Sequence, residues 1–125
     1  MSDAIRQALQ LQHDAAGEGF DWPSVDGVWD KLAEEIAELR ATVTDVERTE
    51  EFGDLLFVMV NLARHLGVDP EGALAAANRK FTSRYAFVMQ QPQTLPPIGD
   101  PARLQAMEAR WQRAKVRERG PDGAD

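Results

Sequence analysis

Residues 50–67 read Glu-Glu-Phe-Gly-Asp-Leu-Leu-Phe-Val-Met-Val-Asn-Leu-Ala-Arg-His-Leu-Gly, and this stretch decides the fold. Its apolar residues, Leu55 to Val60 with Leu62 and Ala63, surround the whole circumference of a helix instead of forming one stripe. A helix of that kind is expected to be buried on nearly every side. Its limits are written in the flanks: Thr44 and Glu47 form a capping-box pattern at the start, and Gly67 follows Arg64 and His65 at the end. A chain of 125 residues buries such a helix most easily by packing a second copy against it, so a homodimer is expected.

Four further helical segments lie outward from this one, and no stretch alternates apolar with polar long enough to argue for a strand. The fold class is all-α, a helical bundle of about five helices. The first segment, about 3–16, places Ile5, Leu9 and Leu11 on a loose stripe before Gly17-Glu18-Gly19 interrupts it. Phe20-Asp21-Trp22-Pro23 follows, where proline disfavours helix at Trp22 and leaves two aromatics on an irregular segment. The second helix, about 24–42, carries Val28, Leu32, Ile36 and Leu39 as its apolar face, with Lys31, Glu35 and Glu38 along a neighbouring one. Trp29 is assigned to the core. Asp69-Pro70 and Asp100-Pro101 supply an N-cap and first-turn proline for helices over about 70–91 and 101–118. Between them Pro92 to Pro97 reads as a non-helical connector able to act as a flap, and 120–125 as a disordered tail after a single domain over 1–119.

Composition narrows the function. A net charge of −7 argues against long-range attraction to nucleic acid, although Arg79, Lys80 and Arg84, and Arg110 to Arg119, keep local basic faces suited to phosphate. The absence of cysteine removes disulfides and thiolate metal sites, and neither a signal peptide nor a membrane span is legible, so a cytoplasmic address is expected.

The chemistry lies in Glu35-x-x-Glu38 and Glu51-x-x-Asp54, because an i,i+3 spacing sets each pair on one helix face. At 4 Å and an effective dielectric near 20, each like-charge pair costs on the order of 4 kcal/mol, so gathered carboxylates call for a neutralising partner. A hard divalent cation suits all-oxygen ligands; magnesium, which keeps waters and bridges to phosphates, is the expected ion, with manganese as its substitute. Solvated acidic residues paired with Lys31 or Arg48 are the plain alternative. Against it, Glu51 and Asp54 directly precede the apolar run, and Asn61 falls on their face, a polar line in a buried helix that needs partners. A di-iron bundle expects Glu-x-x-His, and neither His13 nor His65 stands three residues after a glutamate; both are read as surface or helix-end residues.

Glu34-Glu35-Ile36-Ala37-Glu38 and Glu50-Glu51-Phe52-Gly53-Asp54 resemble the signature of MazG-type nucleoside triphosphate pyrophosphohydrolases. The resemblance continues through Gly19-Phe20-Asp21-Trp22, Gly53 to Gly67, Ala77-Asn78-Arg79-Lys80-Phe81 with Arg84, and Trp111-x-x-x-Lys115, in that order, over about residues 17–115. It is to the catalytic one of the two domains that many such proteins carry in tandem. It implies an all-α dimeric, magnesium-dependent enzyme that hydrolyses NTP or dNTP to the monophosphate and pyrophosphate, a house-cleaning role in the nucleotide pool. It implies Glu35, Glu38, Glu51 and Asp54 as magnesium ligands and Glu34 as a supporting carboxylate. One of Glu34, Glu35 or Glu38 is the expected base. Phe20 and Trp22 match base-binding aromatics, and Lys80, Arg84, Trp111 and Lys115 match triphosphate contacts; Lys31 and Asn61 complete the expected substrate-binding set. A narrower dUTP or dCTP pyrophosphatase, and a non-catalytic helical dimer that senses nucleotides or binds a protein, are the competing readings.

Overall fold

The computed structural model describes residues 3–120. The expectation of a disordered tail therefore falls, apart from Gly120, outside the described residues. Within them lie five α-helices and no strand: α1 (Asp3–Gly17), α2 (Val25–Arg40), α3 (Asp45–Leu66), α4 (Pro70–Val88) and α5 (Pro101–Arg119), with a 3₁₀ turn at Pro92–Thr94. The chain divides into two compact units, one running to Leu74 and the other from Ala75.

In the first unit α2 and α3 are the principal packed pair, and α1 lies against α3. Ser24 caps α2, its Oγ accepting from the Asp26 amide at 3.3 Å. The short turn 41–44 returns the chain into α3, whose start is fixed by a complete capping box. The Thr44 hydroxyl accepts from the Glu47 amide at 3.1 Å, and the Glu47 carboxylate accepts from the Thr44 amide at 3.0 Å. Gly67 ends α3 at φ 71°, a left-handed cap that favours glycine. Arg6 on α1 donates to Glu71 at 3.0 Å, securing the first turn of α4.

Packing differs from the sequence pattern in four places. The inner face of α2 uses Val28 and Glu35, while Ile36 faces out, so a carboxylate takes the place expected of an aliphatic residue. On α1 the fully buried residue is Gln12 and Leu11 is exposed. Trp29, assigned to the core, is 48% exposed. The helix α3 buries Val58 and Val60 but leaves Phe52, Leu56 and Met59 each 50% exposed. A row along one face of a helix that is apolar all round is therefore left open.

In the second unit Val88, Leu95 and Ala114 form the buried core. The proline-rich connector is not wholly non-helical, since Pro92–Thr94 makes one 3₁₀ turn. It is also fastened down. Arg110 donates to the carbonyls of Val88 and Gln90 at 2.8 and 2.6 Å and to the Thr94 hydroxyl at 2.6 Å, and Arg103 donates to the Pro96 carbonyl at 2.8 Å.

Candidate metal and nucleotide site

The C-terminal half of α2 and the second and third turns of α3 present carboxylates to one another. Oxygens of Glu34, Glu35 and Glu38 gather within 4.8 Å, as do oxygens of Glu35, Glu51 and Asp54. Glu35 belongs to both groups and is only 5% exposed. The expected line Glu51, Asp54, Asn61 is less buried than the sequence suggested: Glu51 and Asn61 are half-buried and Asp54 is exposed.

Charge is partly offset inside the unit. Lys31 reaches Glu34 and Glu35 at 3.2 Å each, and the Glu34 hydrogen bond, then that of Glu35, raises its pKa. Part of the plain surface-pairing alternative is thus present, but it accounts for only one oxygen of the buried carboxylate. Glu35 Oε2 and Glu51 Oε2 are buried with no hydrogen-bond partner. Burial pushes the Glu51 carboxyl above the usual range, with the charges of Glu38, Asp54 and Glu35 adding to it. Unpartnered buried oxygens on two facing helices, with no histidine among them, are donors suited to a hard divalent cation. The residues present fit such an ion.

Lys31 also joins the acidic group to a cavity of about 490 Å³ lined by Phe20, Trp22, Asn61, Gln12 and Phe57 among others. The four residues Phe20, Trp22, Lys31 and Asn61 therefore come together in the first unit. Gly27 makes this possible for Trp22, because a Cβ there would lie 2.6 Å from the indole ring. Phe20 is largely exposed at the rim.

Four cavity or loop residues were missed in the sequence. Asp21 between the two aromatics accepts from Arg64 Nη2 at 2.5 Å and from His65 Nε2 at 2.9 Å. The Arg64 hydrogen bond is the main reason its pKa falls to about 2. His65 is thus more than a helix-end residue: it helps fasten the aromatic loop to α3. Arg64 Nε also donates to Asn61 Oδ1 at 3.1 Å, and Asn61 lines the cavity. Gln12 donates from Nε2 to the Phe57 carbonyl at 2.8 Å and keeps Oε1 buried without a partner. A polar residue within an apolar stripe was the available signal for Gln12; pairings over 43 or 44 residues left none for Asp21.

The remaining expected residues belong to the second unit. Arg84 on α4 and Trp111 on α5 are in contact, the guanidinium lying 5.4 Å from the ring centroid. Lys80 and Lys115 both act on Glu118, a residue not singled out in the sequence, which pairs with Arg84 at 2.9 Å.

Fold and site together define an all-α protein with a cluster of helix-borne carboxylates, suited to a divalent cation, beside an aromatic cavity. A family model described as phosphoribosyl-ATP pyrophosphohydrolase matches residues 4–81. The nucleoside triphosphate pyrophosphohydrolase/pyrophosphatase MazG of Thermotoga maritima is 38% identical over 112 residues, covering 90% of this chain and 44% of that protein. The nucleoside triphosphate pyrophosphohydrolase of Escherichia coli K12 is 41% identical over 122 residues, covering 92% and 46%. The chain belongs to the MazG-like nucleoside triphosphate pyrophosphohydrolase family. It spans about half the length of these curated relatives. Among the described residues, no helix is long and apolar enough to cross a membrane.

Proposed function

We propose that this chain hydrolyses nucleoside triphosphates to the monophosphate and pyrophosphate with magnesium, manganese serving in its place. The observation that carries this reading is Glu35: a buried carboxylate shared by two acidic groups, with one oxygen unpartnered, beside the aromatic cavity. Glu35, Glu38, Glu51 and Asp54 hold the ion, and Glu34 supports them. Magnesium supplies neutralisation of phosphate charge and acidification of water. A carboxylate of the segment 34–38 takes the proton of the attacking water.

The chain's own residues do the rest. Phe20 and Trp22 offer stacking surface for a base, and Asn61 and Gln12 offer a donor and an acceptor to its edge. Lys31, paired with Glu34 and Glu35, is available to phosphate once those carboxylates have another counter-charge. Lys80, Arg84 and Lys115, with Trp111, bind the phosphates and offset charge on the departing pyrophosphate. Removal of surplus or noncanonical nucleotides in the cytoplasm is the role that goes with this chemistry.

We also assign a homodimer, because Phe52, Leu56 and Met59 form an exposed apolar row at helical spacing on α3. Leu56→Asp is expected to convert the dimer to monomer in analytical ultracentrifugation; an unchanged mass removes this assignment. The activity is tested by ³¹P NMR on a panel of NTPs and dNTPs. Wild type should release pyrophosphate with magnesium, and Glu38→Ala and Asp54→Ala should lose at least roughly 100-fold. Equal turnover in all three proteins, or none in wild type, would overturn the reading, and turnover confined to dUTP or dCTP would narrow it.

A further inference from the structure

Arg84 is 14% exposed at its side chain, so its charge needs a counter-charge within the protein or from a ligand. The structure gives it Glu118, with Nε at 2.9 and 3.2 Å from the two carboxylate oxygens and Nη2 at 2.9 Å from Oε1. The guanidinium also lies over Trp111, which packs on Phe81 at 5.5 Å, and Phe81 stacks on Tyr85 at 5.7 Å. Glu118 is the more exposed member of the pair, its side chain 40% exposed and able to return to water.

Arg84 touches this carboxylate, and two further cations act on it through their charge. Arg84 holds Glu118 below the usual carboxylate range, chiefly through its hydrogen bond, and the charges of Lys80 and Lys115 add to the effect. Lys80 stands one turn from Arg84 on α4, and Lys115 one turn from Glu118 on α5. We propose that Glu118 is a built-in competitor at this basic group: its carboxylate occupies Arg84 until a ligand with several phosphate charges displaces it. This rests on reading Lys80, Arg84 and Lys115 as phosphate-binding residues.

The chemistry follows from like-for-like exchange. Carboxylate and phosphate both satisfy the forked donors of arginine. An anion that merely replaces Glu118 swaps one partner for another and gains little. A pyrophosphate or triphosphate brings further charge that Lys80 and Lys115 can meet, so it displaces the carboxylate where orthophosphate does not. Glu118 thereby sets a threshold of anionic charge, favouring polyphosphate over single phosphate groups.

The test is calorimetric titration of the full chain, free of divalent ions, with inorganic pyrophosphate and with orthophosphate, for wild type, Glu118→Gln, Glu118→Asp and Lys80→Ala. Wild type should prefer pyrophosphate, and Glu118→Gln should bind it on the order of tenfold tighter. Orthophosphate should gain by a larger factor, so that the preference shrinks. Glu118→Asp, charged but too short to hold Arg84 as well, should fall between the two. In turnover, Glu118→Gln should lower KM with kcat unchanged, a split that loss of a purely structural ion pair does not produce. If wild type binds pyrophosphate, Lys80→Ala weakens it, and both Glu118 variants leave it unchanged or weaker, the competitor role is wrong while the phosphate reading stands. If no protein in the set binds pyrophosphate, both fall.

Discussion

Replacing Glu35 by glutamine separates a cation site from a structural ion pair, because the two give opposite signs. Glu35 faces like charges within 4.8 Å in both of its groups. At that distance and an effective dielectric near 20, one such contact opposes folding by about 3 kcal/mol before screening and relaxation. Against this, Glu35→Gln weakens a contact with Lys31 at 3.2 Å, where the lysine keeps Glu34 as a second partner. A part-exposed pair of this kind stabilises by about 1 kcal/mol or less. The ion-free variant should therefore be more stable than wild type by roughly 1–2 kcal/mol, a rise in Tm of about 3–10 °C for a chain of this size. Magnesium reverses the order. Wild type at about 100 times its dissociation constant gains about 2.7 kcal/mol, and the variant should gain little. Differential scanning calorimetry with EDTA and with excess magnesium reads both effects. A variant that melts lower than wild type in EDTA and responds equally to magnesium would refute the reasoning, for Glu35 would then be a partner of Lys31 and nothing more.

Three shorter predictions follow from other contacts. Burial raises the folded-state pKa of Glu51 above its unfolded value, so the folded chain favours the protonated form. The resulting stability is full below the unfolded pKa near 4.5 and is lost as pH rises through the raised value; in ion-free melts from pH 4 to 8, wild type should lose stability relative to Glu51→Gln. Gly27→Ala should displace the Trp22 ring, since its Cβ would sit 2.6 Å from the indole, and raise KM with little change in magnesium-dependent Tm. Thr44→Ala removes the hydroxyl that caps α3 and should cost about 1 kcal/mol of stability in urea unfolding, with catalytic constants unaffected.

Helices were legible because their signals are local. The Thr44–Glu47 capping box, the Gly67 stop and the two Asp-Pro starts each fix a boundary through contacts within one turn of chain. The acidic pairs were legible for the same reason, their i,i+3 spacing being enough to put them on one face. What periodicity did not reveal was which face turns inward. Glu35 and Gln12 hold buried positions that hydropathy would give to Ile36 and Leu11, because polar residues serving a site break the apolar stripe they stand in. Trp29 and the outer row of α3 read as core by composition, yet they stand about half exposed. Asp21 with Arg64 and His65, and Arg84 with Glu118, are pairings between distant parts of the sequence, and no local pattern announces them.

In the proposed mode of action, carboxylates of α2 and α3 together hold a divalent cation. Electron paramagnetic resonance of manganese titrated into the full chain tests it most directly, since bound ion loses the signal of the free ion. Wild type should take up manganese, magnesium should compete it off, and Glu51→Gln and Asp54→Asn should each abolish uptake at the same concentrations. Equal uptake by wild type and both variants would contradict the account.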